Sequence, residues 1–224
     1  MNTALKNIFT AVLLTVFVFS AKAQDKNFHF GLKGNGGLYF AKSNDEVFKG
    51  DGAKLGLGFG LMLEFGFTSN YYFLTGAEIN TISVKSKYEV TGSKGTFVST
   101  VKYVELPLML KMKTKEIGMM KYFGLFGFKT GLAVSAKNES SATILGVTTT
   151  TTDKKMDDIF PIRESLVIGG GAEYNLSGTT SLVFGISYDN GLTSIFKKKN
   201  SKISSVENPK MFSNGVVLTV GILF

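Results

Sequence analysis

The chain has 224 residues, a formal net charge of +8, one histidine and no cysteine or tryptophan. That excludes disulfides, thiol nucleophiles and cysteine metal ligands, and a single histidine leaves no zinc cluster, so no metal or other cofactor is expected. Hydrophobic residues make up 44% of the chain, with 26 Gly and 20 Phe. No run after the amino-terminal segment approaches the ~18 apolar residues of a spanning helix, so this apolar material belongs to sheets.

The chain opens with Lys6, an apolar run over residues 8–19 and the small-x-small triplet Ala21-Lys22-Ala23 ahead of Gln24. This is the pattern of a secretory signal peptide, residues 1–23, cleaved to leave a single domain over 24–224. Loss of Lys6 and Lys22 lowers the net charge from +8 to +6. Basic charge on an exported chain points to anionic surfaces such as lipid phosphates, not to nucleic acid.

Two-residue periodicity dominates the rest. Residues 28–40 form a first strand, weakened by Gly34 and Gly36. In 53–67, Leu55, Leu57, Phe59, Leu61, Leu63, Phe65 and Phe67 share one face, opposite Gly56, Gly58, Gly60, Met62, Glu64 and Gly66. A soluble barrel puts its large apolar residues inward; here the other face is small or acidic, as a narrow barrel in lipid requires. Residues 71–84, 101–113, 122–135, 162–176, 182–189 and 215–224 continue the alternation, the last ending on Phe224, which makes eight strands. The expected fold is all-β, an eight-stranded antiparallel transmembrane barrel of up-and-down order.

Connections alternate in length. Those at 68–70 and 177–179 are tight, that at 114–120 is moderate, and those at 42–52, 86–96, 136–160 and 190–212 are long and polar. Short periplasmic turns and long extracellular loops are the asymmetry of outer-membrane barrels. Residues 148–152, all threonine, sit in the longest loop, as a mobile stretch or as a hairpin extension. Phe28, Phe67, Tyr71, Tyr122, Tyr174 and Phe224 fall near the short-turn ends on the outward face and would form an interfacial girdle, with Phe40 and Tyr188 on the opposite rim. Inward positions carry Glu64, Glu78, Glu105, Glu173 and Asp189 against Lys111, Lys129 and Arg163, which must pair or be hydrated. Pro107 lacks a ladder N–H, so a bulge or local break is expected around 105–108.

The stretch Tyr103-Val104-Glu105-Leu106-Pro107-Leu108-Met109-Leu110-Lys111, the strand carrying Thr75-Gly76-Ala77-Glu78-Ile79-Asn80, and the strand ending on Phe224 resemble the PorT-like outer-membrane β-barrel proteins of Bacteroidetes. These are built like small OmpX or OmpA-type barrels. The resemblance implies fold and location, with a tie to protein secretion for PorT itself, and makes the terminal strand the part read by the barrel-insertion machinery.

Enzymes on small outer-membrane barrels need a histidine near a serine or aspartate. His29, the one candidate base, falls inward at the short-turn end, away from the outer leaflet where such chemistry sits, so no catalytic residue is expected. Lys197, Lys198, Lys199 and Lys202 form a candidate lipopolysaccharide contact in an external loop. The leading expectation is a monomeric, non-enzymatic envelope protein with a structural, accessory or loop-mediated binding role and an unidentified envelope partner. The alternatives are a narrow pore or small-ligand binder using the charged lumen, and a soluble lipocalin-like carrier.

Overall fold

A computed structural model describes residues 28–43, 48–90, 93–144, 147–154, 156–197, 202–203, 206–207 and 210–224. The signal peptide expected over 1–23 lies outside them. Eight long strands close into a barrel: β1 (Phe28–Ser43), β3 (Ala53–Gly66), β4 (Tyr71–Val90), β5 (Ser93–Lys113), β6 (Met120–Ile144), β8 (Ile162–Ser177), β9 (Thr180–Gly191) and β12 (Met211–Leu223). Each pairs antiparallel with its neighbour in chain order, and β12 returns to β1 through Gly31↔Leu223 to Ser43↔Met211, so no barrel edge is left open. Four short strands decorate the long-loop end: β2 (Phe48–Gly50) on β4, β7 (Val147–Asp153) on β6, and the two-residue pair β10 (Lys202–Ile203) and β11 (Val206–Glu207).

The distribution of side chains is inverted relative to a soluble protein. Phe65 is 38% exposed on the outer wall, whereas Glu64 beside it in sequence is fully buried inside. On β5 the outward residues Val104, Leu106, Leu108, Leu110 and Met112 are exposed, while Tyr103, Glu105, Met109 and Lys111 are buried. Only an apolar solvent makes that wall favourable, since exposed apolar area costs roughly 25 cal/mol per Å² in water. The soluble-carrier alternative needs the opposite arrangement.

Two of the long loops are not irregular. Residues 86–90 and 93–96 continue the β4–β5 ladder as far as Val90↔Ser93, and β6 runs on to Ile144 and folds back through β7, pairing Asn138↔Asp153 to Ile144↔Val147. The threonine run is thus the hairpin extension. These stretches read as loops because their outward faces are polar, yet Tyr88 is buried inside, Thr and Val suit strands, and the ladder below holds the pairing in register.

Pro107 interrupts one ladder only. Leu74↔Met109 and Glu78↔Glu105 keep the same register, but the rungs between them are missing, while Pro107 still stands opposite Lys129 on β6. The proline's missing N–H therefore falls on the β4 side. Gly76, which faces this gap, has φ +149°, and a Cβ there would meet the Leu61 carbonyl oxygen at 2.0 Å. The register shift itself lies higher, between Lys102 and Tyr103, where Val134 is the extra residue of β6. It follows that the break expected at 105–108 is present as an open stretch of ladder, and the bulge is elsewhere.

Inside, the Tyr39 ring is held by missing side chains. Cβ atoms on Gly37, Gly56 and Gly215 would each come within 2.4–2.7 Å of that ring, so glycine at these three inward positions on β1, β3 and β12 is what lets the tyrosine lie flat against the wall.

Candidate functional site

The lumen is filled in layers. At the long-loop end an apolar cluster joins Tyr39, Ile82, Val84, Tyr88, Phe97, Val101 and Met211 from the wall to Ile159, Ile195 and Phe196 from the loops. Bonds from Phe160 N to Ile195 O (2.8 Å), Ile195 N to Met211 O (2.7 Å) and Lys197 N to Asp158 O (3.0 Å) tie these loop segments together across the mouth. Phe196 is 2% exposed and packs on Phe97 with ring centroids 5.5 Å apart.

Beneath this cap lies the first ionic layer, centred on Arg163. Its Nη1 meets Glu105 at 2.9 Å and its Nη2 meets Asp189 at 2.6 Å. Nε donates to Ser213 Oγ at 3.1 Å, Nη1 also donates to Ser165 Oγ at 3.1 Å, and the guanidinium stands over the Tyr103 ring. Lys129 links Asp189 (3.9 Å) to Glu78 (3.4 Å), and Glu78 also binds Lys33. Asn80 donates to Glu105 at 2.6 Å and to Glu78 at 2.9 Å, and Asn35 donates to Glu78 at 3.1 Å. Three cations therefore meet three carboxylates, and each carboxylate oxygen has a donor, the condition under which buried charge is tolerable.

An apolar layer follows, of Met62, Leu74, Met109, Phe123, Val167 and Val183. It holds a cavity of about 40 Å³ bordered by Lys33, Lys111 and Lys129, room for about one water molecule. The second ionic layer has Lys111 on Glu64 and Glu173, both at 2.5 Å, and Lys113 on the same two carboxylates at 2.5 and 2.8 Å. Lys111 also caps the Phe123 ring and Lys113 the Tyr72 ring, at 4.1 and 4.3 Å from the centroids. Below it a cavity of about 660 Å³ at the short-turn end is lined by His29, Tyr72, Lys121, Asn175 and Ser181.

All eight charged residues singled out in the sequence thus face the lumen, in two groups rather than one. Glu64, Lys111 and Glu173 belong to the lower layer, and Glu78, Glu105, Lys129, Arg163 and Asp189 to the upper. Lys33 and Lys113 complete the charge balance of the two layers and had not been singled out, although strand parity places both inward with Asn35 and Asn80. His29 lies in the lower cavity with its ring 5.9 Å from Tyr72, and its buried Nδ1 has no hydrogen-bond partner.

Outside, Phe67, Tyr71, Tyr122, Tyr174 and Phe224 are exposed at the short-turn end; Phe28 packs on Phe65 there, and Phe30 on Phe224, at 5.1 and 5.3 Å. At the far rim Phe40 meets Tyr188 at 6.5 Å. Lys197 donates from Nζ to the Asp157 carbonyl at 2.8 Å. Lys198 and Lys199 lie outside the described residues, and Lys202 is in β10 opposite Glu207. Above the barrel, Asp51 clasps Lys85 and Lys87, each at 2.6 Å. These hydrogen-bonded ammonium groups hold its carboxyl below the ordinary aspartate value of 3.8. A depressed carboxyl contributes its pairing above the ordinary value and loses it as pH falls through the lowered one. Carboxyl-carbon NMR should therefore place the Asp51 midpoint below 3.8, and Lys85→Ala with Lys87→Ala should return it upward.

A protein-family model described as "Outer membrane protein beta-barrel domain" matches residues 22–197. The chain belongs to this outer-membrane β-barrel family. The short-turn end is then periplasmic and the long-loop end extracellular. Among solved structures it is similar to OprG of Pseudomonas aeruginosa (12% identity, 88% of this chain and 94% of that one, TM-score 0.45). It is also similar to Ail of Yersinia pestis in complex with the heparin analogue sucrose octasulfate (16%, 88% and 99%, 0.41) and to Neisserial surface protein A (13%, 87% and 95%, 0.39). No curated protein sequence matches it.

Proposed function

We propose that this protein is a non-conducting, non-enzymatic component of the outer membrane, monomeric in the bilayer, that acts through the surface it presents outside the cell. The filled lumen carries this reading: among the described residues an apolar cap, two neutralised ionic layers and an apolar layer between them stack side chains along the barrel axis. An ion entering would have to break carboxylate contacts to ammonium and guanidinium groups of 2.5–2.9 Å that nothing in the apolar layers replaces. Planar-bilayer recording of the reconstituted protein is expected to show no unitary conductance, and steady channels would overturn the reading. A role alongside secretion machinery, as the PorT-like resemblance implies, rests on the motif around Pro107. It would show as co-purification with a secretion component from intact outer membranes. Export by the amino-terminal signal with cleavage after Ala23, insertion through the strand ending on Phe224, and contact of Lys197, Lys198, Lys199 and Lys202 with lipopolysaccharide belong to the same proposal.

A further inference from the structure

The outer face of β4, β5 and β6 changes character along a single row. Ile79, Val104 and Leu132 stand side by side in register and are exposed apolar residues. The next outward row is Thr81, Lys102 and Ser135. On β5 the apolar band from Val104 to Met112 spans roughly 27 Å along the strand, which at a tilt of about 40° is roughly 20 Å of height. That matches the lipid-facing band of such barrels, so Lys102 stands where hydrocarbon gives way to headgroups.

Above that row the same face holds more cations. Lys137 pairs with Thr100, making it the diagonal neighbour of Lys102 at about 7–8 Å. Lys85 pairs with Val98 on the other flank of β5, and between them Ser83 and Thr100 join hydroxyls at 3.0 Å. The acids on this face are committed: Glu139 to Lys137 at 2.5 Å, and Asp51 to Lys85 and Lys87. Lys102 has no carboxylate against it among the described residues. Every cation of the two lumen layers is paired, whereas Lys102 is exposed at this boundary.

We propose that Lys85, Lys102 and Lys137, with the Ser83 and Thr100 hydroxyls, form a binding surface for the phosphorylated glycolipid headgroup of the outer leaflet, lipid A. This rests on the outer-membrane reading and places the principal lipid contact on the barrel's extended wall rather than in the 197–202 loop. Two lysines on diagonal positions about 7–8 Å apart along the wall, beside a pair of hydroxyls, can bracket a phosphate, while the apolar rows directly below take its acyl chains.

The test is a titration of the detergent-solubilised full chain with bisphosphorylated lipid A, read by native mass spectrometry. Lys102→Ala with Lys137→Ala is expected to weaken binding about twenty-five-fold, fivefold per lysine. Asp51→Asn, which releases Lys85 and Lys87, is expected to tighten it. Lipid A stripped of its phosphates should bind wild type and variant alike. Unchanged affinity in the double variant, or phosphatidylglycerol binding as tightly as lipid A, would overturn the proposal. Heat-modifiable gel migration reports separately on the outer-membrane reading: its loss in the wild-type protein would sink that reading, whereas the lysine variants should retain it.

Discussion

Arg163→Met will destabilise the folded barrel by about 3–5 kcal/mol. Arg163 is 2% exposed and is the shared partner of Glu105 and Asp189, at 2.9 and 2.6 Å. Methionine fills much of the same volume but leaves two carboxylates facing each other in a closed lumen. Lys129, 3.9 Å from Asp189 and already committed to Glu78, cannot replace the lost fork. Lysine at this position keeps the charge without the planar pair of donors and should recover only part of the loss. Neutralising the two acids as Glu105→Gln and Asp189→Asn in the Met background should restore most of it, because the cost lies in the uncompensated charge. The chain has no tryptophan, so unfolding in urea is best followed by circular dichroism and by the heat-modifiable gel shift. Equal denaturation midpoints for Arg163→Met and wild type would mean that the upper layer is hydrated and not a closed ion-pair network.

The second large effect is expected from Gly76→Val, which should lower stability by about 3 kcal/mol or prevent insertion altogether. Gly76 adopts φ +149° beside the ladder break made by Pro107. Its missing Cβ is 2.0 Å from the Leu61 carbonyl oxygen, a backbone atom of β3 that is itself part of the wall. Neither the dihedral angle nor the clash can relax without moving the β3–β4 pairing. Gly34→Ala is the matched control: no atom lies within 4 Å of the added Cβ, and the change should leave both folding yield and heat-modifiability unaltered. If Gly76→Val folds as well as Gly34→Ala, the open stretch of ladder is soft enough to absorb a side chain.

Much of this architecture could be read directly from residue order, for a reason visible in β5. Val104, Leu106, Leu108, Leu110 and Met112 alternate with Glu105, Met109 and Lys111, and alternation is a local property of an extended backbone. Strand identity, the inward set of charges and the periplasmic aromatics all follow from that parity. The extension of β4 and β5 beyond the bilayer is not marked in the sequence, because Lys85, Lys87 and Lys102 stand where a strand in lipid carries large apolar side chains. There the contrast between faces is reversed: Val84, Tyr88 and Phe97 turn inward into the apolar cap, while Lys85 and Lys87 face out. Lys33 was passed over for a related reason: a lone lysine in a glycine-rich strand carries no sign of the carboxylate waiting two strands away.

The sequence alone determined that this is an all-β chain with large apolar side chains on one face of each strand and small or charged ones on the other, and hence which face meets lipid. The tertiary structure decided which charges meet. Glu64 finds Lys111 and Lys113 on β5 and shares both with Glu173 on β8, strands that face one another only because the barrel closes. Parity repeats every two residues and is blind to register and to curvature, whereas ion pairing across a lumen depends on both. Two balanced layers, the loop cap of Ile195 and Phe196, and the lysine row above the apolar band exist only once eight strands have been brought into register around a common axis.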